Sequence, residues 1–455
     1  MTEVDIRHGD CLEVLRGLPD NSVDSVVTDP PYGLSNTKPA QVADVLAAWV
    51  TGDTEAVPAK KGGFMGKDWD SFVPPPAVWE ECLRVLKPGG HMAVFAGART
   101  QDLMGLSIRL AGFEIREGMG WIFGSGFPAG GQDISKAIDK RRDEDLEPQA
   151  RVAKWLVDRM AEKGMTRKNI SDHFNAANVA QQWTTYWTDG AVKPRVPKWD
   201  QWQELKLLLE FSGEMDAEVW RLNGRKGTPG EAWEKREVTG VHKQPSAANE
   251  WAGNYMGTKK AGIKERRDIP ATPEAAKWDG WNTRLKPAIE PIILARKSLD
   301  GTVANNVLAH GVGGLNIDAC RVGSASASAG RFPANVLLDG HAAAEMDEQS
   351  DDVSRFFPVF KYQAKAPKKE RPVVEREDGT KIQHPTVKPL ALMEWLVTLI
   401  TPPGGTVLDP FAGTGTTLQA ARDKSLRSIG IEQDPGYIRL IETRLAAEAE
   451  DGGLF

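Results

Sequence analysis

The sequence predicts an α/β fold, in which a doubly wound parallel sheet carries a mostly helical inserted domain. Strand and helix signals alternate over about the first 130 residues and again over about the last 70, as in parallel sheets with helices on both faces. Between about residues 133 and 278 strand signals vanish and charges of both signs become dense. We therefore expect three segments, 1–132, 133–278 and 279–455, of which the outer two form one catalytic domain.

The N-terminal segment carries three predicted strands. Residues 4–10 alternate in polarity, and residues 23–28, which include three valines, are predicted to form a buried strand. A helix over 77–86 is expected to end at the Lys-Pro-Gly-Gly sequence of 87–90, and residues 91–96 form the next strand. Because parallel strands all end at one edge of the sheet, residues that follow them are expected to lie close together.

The C-terminal segment resumes this alternation. Strands are predicted over 288–295, 406–409 and 427–432, and a helix over 390–400. A further helix follows the glycine-rich turn after the second of these strands, which returns the chain to the same parallel pattern.

Composition limits the class of protein. The chain has 26% charged and 40% hydrophobic residues, and its net charge of −6 excludes a histone-like polycation but not a local basic groove. Cys11, Cys82 and Cys320 lie far apart, so neither a disulfide framework nor a metal site is expected. The sequence has no recognisable signal peptide or membrane span, which predicts a cytoplasmic protein.

An acidic motif follows the strand over 23–28. Its members are Asp29, Pro30, Pro31 and Tyr32. An amine on a nucleobase is a poor nucleophile because its lone pair is delocalised, so a transfer enzyme must accept its hydrogens. The Asp29 carboxylate and the Pro30 carbonyl, held in a stiff prolyl turn, suit that task, and Tyr32 offers a face for stacking. A duplex base must be flipped out to reach such a pocket. The alternative is a polar turn that only closes the strand.

A glycine-rich turn follows the strand over 406–409. The candidate ligand residues there are Asp409, Phe411, Ala412, Gly413, Gly415 and Thr416. Glycine lets the backbone approach a ligand closely, but the third glycine of a dinucleotide site and the Gly-Lys-Ser/Thr of an ATP site are both lacking. Glu432 ends the next strand, where an acid accepts hydrogen bonds from ribose hydroxyls, unless it is only an exposed charge. The turn therefore predicts a nucleotide-like cofactor other than NAD or ATP.

The acidic motif near the start of the chain and the glycine-rich turn near its end resemble, in sequence and in order, the motifs of the β-class amino-DNA methyltransferases. In that family an (Asp/Asn/Ser)-Pro-Pro-(Tyr/Phe/Trp) motif comes first and the cofactor motif comes last, so the Rossmann-like sheet is circularly permuted. The resemblance implies S-adenosyl-L-methionine as cofactor, with the glycine turn as its loop and Glu432 as its ribose acid. The large insert departs from the family pattern.

Two further segments carry the same resemblance. The Gly-Asp-Cys-Leu sequence of 9–12 implies that Asp10, next to Cys11, binds the adenine amine of the cofactor. The His-Pro-Thr-Val-Lys-Pro sequence of 384–389 implies that Thr386 and Lys388 bind its methionine carboxylate. The residues by themselves also allow a helix cap at Asp10 and a surface turn at Lys388.

The resemblance implies methyl transfer to the 6-amino group of a flipped adenine in double-stranded DNA, with no covalent intermediate and no metal. Asp29 favours adenine, because family members that methylate the N4 amine of cytosine more often carry serine there; cytosine-N4 methylation is the nearest alternative. More distant alternatives are an RNA or protein-amide methyltransferase and a non-catalytic helix-turn-helix protein. A homodimer and a separate restriction endonuclease of a restriction–modification system are expected as possible partners.

The insert is the candidate target-recognition domain. Ten of the fifteen tryptophans fall between positions 155 and 281, and helices are predicted over 151–160, 166–174 and 178–185. The short turns between them resemble a helix-turn-helix, and the alternative is a helical bundle with the tryptophans as its core. In the first case the candidate DNA contacts are Arg167, Lys168, Gln181 and Gln182. Basic clusters at 221–226 and 259–267 could follow phosphates or form solvated faces, and the second is expected to be a mobile loop.

Overall fold

The chain divides into two compact units. Unit 1 comprises residues 1–127 and 287–455, and unit 2 comprises residues 128–286. The predicted boundaries at 132/133 and 278/279 both fall just inside unit 2. The computed structural model describes residues 3–35, 37–58, 70–124, 131–185, 195–243, 264–323, 330–360, 371–375, 379–384 and 386–451.

Thirteen strands are formed by the described residues. In chain order they are β1 (Val4–His8), β2 (Val23–Thr28), β3 (Leu86–Phe95), β4 (Glu114–Ile122), β5 (Glu237–Lys243), β6 (Lys264–Ile269), β7 (Ile289–Arg296), β8 (Val336–Asp339), β9 (Val359–Phe360), β10 (Val374–Glu375), β11 (Lys381–Ile382), β12 (Thr406–Asp409) and β13 (Arg427–Glu432). Nine of them form the sheet of unit 1 in the order β1-β13-β12-β2-β3-β7-β4-β8-β9.

Helices alternate with these strands. In unit 1 they are α1 (Cys11–Arg16), α2 (Pro39–Thr51), α3 (Pro76–Val85), α4 (Gln101–Leu110), α13 (Val303–His310), α14 (Gly340–Gln349), α15 (Leu390–Ile400), α16 (Thr416–Asp423) and α17 (Pro435–Asp451). In unit 2 they are α5 (Ile134–Asp139), α6 (Leu146–Glu162), α7 (Arg167–His173), α8 (Val179–Thr184), α9 (Trp199–Leu209), α10 (Asp216–Gly224), α11 (Glu231–Glu234) and α12 (Pro273–Lys277). No helix among the described residues has the length and apolar character needed to cross a membrane.

The sheet of unit 1 is buried on both faces. Successive side chains of a strand point to opposite faces, and the neighbours Val26 and Val27 of β2 accordingly enter different cores. The first core includes Trp79 of α3, and the second includes Leu396 of α15. The predicted α/β fold, with helices on both faces of a mostly parallel sheet, is confirmed.

Two details of the sheet differ from the prediction. β7 runs antiparallel to both of its neighbours, β3 and β4, whereas an all-parallel sheet was expected. β3 also begins at Leu86, so the Pro-Gly-Gly sequence expected to separate a helix from a strand lies within the strand. Its register against β2 is irregular between Val23 and Ser25, and Gly89 has φ +77°, so the segment is a distorted strand rather than a turn.

The sheet has a topological switch point between β12 and β2. From these adjacent strands the chain continues outward in opposite directions, to β13 on one side and to β3 on the other. In doubly wound folds ligands bind where the strand order reverses, outside the carboxyl ends of the strands. The acidic motif follows β2 and the glycine turn follows β12, so the two motifs flank this point.

Unit 2 is a helical bundle that also contains a hairpin. Helices α6 to α10 share one core, in which Trp202 is fully buried and Trp183 is 4% exposed. The antiparallel pair β5–β6 corrects the prediction that this region lacks strands. Residues 264–267 of the expected mobile loop belong to β6, and 259–263 lie outside the described residues. Because β6 has the sequence Lys-Glu-Arg-Arg-Asp-Ile, it has no apolar alternation by which to recognise it.

Candidate active site

Four side chains form a hydrogen-bonded cluster beyond the end of β2, here called the Asp29 cluster: Asp29, Tyr32, Glu290 and Lys388. Asp29 Oδ1 accepts a hydrogen bond from the Tyr32 hydroxyl at 2.7 Å, and Oδ2 accepts one from the Lys388 ammonium at 2.6 Å. The ammonium also donates to the Tyr32 hydroxyl oxygen at 3.1 Å and lies 3.3 Å from Glu290 Oε2. Both Asp29 oxygens are thus held in one orientation.

The fold explains why these residues meet. Asp29 follows the carboxyl end of β2, and Lys388 lies just before α15. Glu290 is near the start of β7, and because β7 is antiparallel to β3, its amino end lies at the edge where the parallel strands end. Residues more than 250 positions apart in the chain are therefore brought together at that edge.

Lys388 keeps its charge although it is only 9% exposed. Burial disfavours the ammonium, but the Asp29 and Glu290 carboxylates outweigh this effect and raise the pKa of Lys388 above its usual value. Its nitrogen also lies 5.3 Å from the ring centroid of Tyr32 and 4.8 Å from that of Phe95. Burial, together with the Asp29 charge, raises the pKa of Tyr32 well above its usual value, so the hydroxyl stays protonated and donates.

The backbone after the prolines is fixed by its neighbours. The Thr100 hydroxyl donates to the Tyr32 carbonyl at 2.6 Å, and the Gly33 amide donates to Asp70 Oδ1 at 3.0 Å. Gly33 has φ +64°, and a Cβ there would lie 2.7 Å from the carbonyl carbon of Phe72, so only glycine fits. Within the described part of the chain, no donor bonds the carbonyl of Pro30. It is available to a substrate.

The glycine turn after β12 is braced from three sides. Asp409 Oδ1 accepts from the Thr28 hydroxyl at 2.6 Å, which ties this turn to β2. The Arg444 guanidinium donates to the Thr414 carbonyl at 2.8 Å. Gly415 has φ +75°, and a Cβ there would lie 2.8 Å from Ile441 Cγ2 of α17. The turn before α16 is therefore a preformed loop at the switch point.

Glu432 and Asp10 lie at the same edge. β1 and β13 are paired, so the Gly9 amide donates to the Glu432 carbonyl at 3.1 Å, next to Asp10. Glu432 Oε2 accepts from the Gly413 amide at 2.9 Å, which joins the acid to the glycine turn. Asp10 Oδ1 accepts from the Leu12 amide at 2.9 Å, so it caps α1.

Burial changes the acidity of three groups at this edge. It raises the pKa of Glu432 to about 7 and that of Asp409 to about 6, because a carboxylate loses hydration there. It raises the pKa of the Cys11 thiol to about 12, which leaves Cys11 an unreactive thiol.

One short segment connects the glycine turn to the Asp29 cluster. A Cβ on Gly413 would lie 3.6 Å from His384 Nε2, and the His384 ring packs edge-on against Tyr437 at 4.7 Å between centroids. Two residues further on, Thr386 lies against the same histidine through its carbonyl, and Lys388 follows at Asp29. Lys388 thus reaches the predicted catalytic carboxylate, although it was expected at the cofactor.

A family model described as DNA methylase, of the N6/N4 type, matches residues 23–443. The chain belongs to this DNA methylase family. The resemblance predicted from the motifs is therefore confirmed.

Curated relatives of this chain include the type II methyltransferase M.HindIII of Haemophilus influenzae, which is 31% identical over 189 residues, 41% of this chain and 48% of the relative. The type II methyltransferase M2.DpnII of Streptococcus pneumoniae is 41% identical over 68 residues, 15% of this chain and 25% of the relative. The chain thus spans about half or less of the length of these relatives.

Solved structures also align with this chain over nearly its whole length. The M1.HpyAVI–SAM complex covers 97% of this chain and 98% of its own, at 12% identity and a TM-score of 0.36. The cytosine-N4-specific PvuII DNA methyltransferase covers 98% of this chain and 86% of its own, at 13% identity and a TM-score of 0.39.

Two residues of this edge escaped the sequence analysis. Glu290 begins an apolar strand and looks there like an ordinary strand-end charge, and Arg444 is one of many charges on α17. Neither residue belongs to a sequence motif, so only their contacts in the folded chain identify them as part of the site. Nowhere in the described part do three or more histidine, cysteine, aspartate or glutamate side chains come together as a metal site.

The predicted DNA contacts of the insert lie on α7 and α8. The Arg167 guanidinium donates from Nε to the Thr184 hydroxyl at 2.7 Å and from a terminal nitrogen to the Thr184 carbonyl at 3.3 Å, so it ties the two helices together. Lys168, Gln181 and Gln182 are exposed. Their role in DNA recognition stays a prediction.

Proposed function

We propose that the protein is a site-specific DNA methyltransferase that transfers a methyl group from S-adenosylmethionine to the 6-amino group of a flipped adenine. The observation that carries this proposal is the Asp29 cluster beside the glycine turn, at the switch point of the sheet. A carboxylate held by two donors, next to a loop of ligand-binding geometry, suits transfer between two bound molecules.

The residues at the other half of the edge fit the cofactor. Asp10 and Glu432 offer carboxylate oxygens to the adenine amine and the ribose hydroxyls, since a carboxylate has about four acceptor sites and the described bonds leave some of them free. Gly413 and Gly415 allow close backbone approach, and Thr386 lies beside them through His384. When bound, S-adenosylmethionine supplies a methyl group already activated by its sulfonium.

Asp29 acts on the target amine. As the amine nitrogen takes up the methyl group it becomes positively charged, and it then gives one proton to the Asp29 carboxylate, which releases it to solvent. The Asp29 carboxylate and the Pro30 carbonyl accept its two N–H groups, which directs the lone pair and stabilises the developing charge. Lys388 and Tyr32 are positioning residues that hold Asp29 in place, and they leave acceptor sites free on both carboxylate oxygens.

Adenine is proposed as the target base because Asp29 occupies the first position of the motif. The test is mass spectrometry of nucleosides from DNA of a methylation-deficient host that expresses the protein. N6-methyladenine is the expected product, and Ala in place of Asp29 is the control that should abolish it. N4-methylcytosine would support the same methyl-transfer chemistry but would show that the target base is cytosine rather than adenine. The absence of any modified base would contradict the proposed function. The homodimer and the restriction endonuclease stay predictions.

A further inference from the structure

Unit 2 contains a basic cavity that the catalytic proposal does not use. It has a volume of about 570 Å³ and lies among α6, α8, α9 and α10. Four of its twelve lining residues are cationic and none is acidic: the cations are Arg142, Arg195, Lys198 and Lys226. A pocket of this size is typical of a nucleotide-sized ligand.

Three of these cations form no ion pair with the residues that the structure describes. Within the described ranges, no carboxylate lies within 4.0 Å of the charged nitrogens of Arg195, Lys198 or Lys226. The contrast with their neighbours is clear, because Arg225 pairs with Glu144 and Asp145 a few residues away. Among the described residues, no contacting carboxylate therefore neutralises these three charges.

The contacts that these cations do make are neutral. The Lys226 ammonium donates to the Asn223 side-chain oxygen at 2.6 Å, and Arg195 donates to the Gln182 side-chain oxygen at 3.4 Å. Burial lowers the pKa of Lys226, and repulsion by Lys198 and Arg142 lowers it further, whereas the nearby Asp200 carboxylate raises it. Like charges are thus crowded at one opening, an arrangement that an anion would stabilise.

We propose that this cavity binds the phosphodiester backbone of DNA, with Arg195, Lys198 and Lys226 as its phosphate contacts. Beside them the Gln182 amide and the buried Trp183 indole complete a wall that accommodates a sugar and a base. The proposal rests on DNA being the substrate, and it adds a backbone-binding site within unit 2. It also separates the basic cluster at 221–226 into two ion-paired arginines and Lys226, which forms no ion pair with the described residues.

The test compares two variants of the full chain. Lys198→Gln/Lys226→Gln removes two of the charges at the cavity, and Lys154→Gln removes one from an exposed position on α6 that does not line it. Binding to a labelled duplex is measured by fluorescence anisotropy over a series of salt concentrations. Each phosphate contact contributes about 0.9 to the slope of log K against log salt. We expect the double variant to lose about 2 from the slope and about tenfold in affinity, and Lys154→Gln to match the wild type.

An unchanged slope in the double variant would overturn the proposal. Calorimetric titration with inorganic phosphate distinguishes the source of the anion. The double variant could lose phosphate binding while the salt dependence of its DNA affinity stays unchanged. That result would identify the cavity as a site for a free anion and would overturn its assignment to DNA. This test can be distinguished from the test of the proposed catalytic function. A wild-type protein that binds duplex DNA with the expected salt dependence but methylates no base would refute the catalytic function and leave the phosphate-binding cavity supported.

Discussion

Replacing Lys388 with methionine tests the Asp29 cluster most directly. The substitution keeps the length and apolar stem of the side chain and removes the ammonium that lies 2.6 Å from Asp29 and 3.3 Å from Glu290. We expect kcat for methyl transfer to fall by about a hundredfold, with the dissociation constant of S-adenosylmethionine changed less than threefold.

The magnitude follows from the charges left behind. Since both carboxylate oxygens contact one ammonium, they are at most about 6 Å apart, and without it they repel each other by about 3 kcal/mol at an effective dielectric constant of about 20. Asp29 then either turns away from the target amine or takes up a proton, and in the second case it loses the negative charge that stabilises the positive charge developing on the amine nitrogen. About 3 kcal/mol corresponds to about two powers of ten in rate.

A second substitution makes the test specific. Glu290→Gln in the Lys388→Met background removes the repulsion, so about tenfold of the lost rate should return, whereas Glu290→Gln alone should lower kcat less than tenfold. Rates are measured by transfer of a tritiated methyl group to duplex DNA, and cofactor affinity by calorimetry. A Lys388→Met enzyme with near-normal kcat and a tenfold weaker cofactor would refute this reasoning and return Lys388 to the methionine carboxylate.

Three further predictions follow from other parts of the edge. Asp29→Ala should lower methyl transfer at least a thousandfold while calorimetric cofactor affinity stays within threefold; lost affinity would mean that Asp29 belongs to the cofactor site. Burial raises the pKa of Glu432 from 4.5 to about 7, so the native state holds this proton more tightly than the unfolded chain and its contribution to stability is lost as pH rises across that window. Relative to Glu432→Gln, the wild type should lose up to about 3 kcal/mol of unfolding free energy between pH 4.5 and 7 in urea titrations, and parallel pH profiles would contradict this. Gly33→Ala should lower the melting temperature by several degrees, because a Cβ at φ +64° would lie 2.7 Å from the Phe72 carbonyl carbon, whereas Gly118→Ala, with no atom within 4 Å of its Cβ, should not; equal shifts would argue against strain at Gly33.

Sequence patterns were sufficient where one local signal dominates. β2 and β12 were predicted correctly because in each a few apolar residues are followed by a turn of distinctive composition, Asp-Pro-Pro-Tyr in one case and glycine-rich in the other. These turns also identified the two motifs. The patterns failed where pairing depends on distant partners. β6 is charged at nearly every position, and its strand conformation depends on hydrogen bonds to β5. The local sequence of β7 also does not predict its direction, because a buried strand has the same composition whether it runs parallel or antiparallel to its neighbours.

The sequence by itself determined the family, the mostly parallel sheet and the identity of its motif residues, since glycine, proline and acid at set positions after a strand have local physical causes. Tertiary structure decided which of these residues act together. Lys388 was assigned to the cofactor by its motif, yet its ammonium lies on Asp29, because the segment from His384 crosses from the glycine turn to the end of β2. Glu290 joins them only because β7 is antiparallel. Two charged side chains interact when they lie close together in the folded structure. Their separation along the chain does not predict that distance.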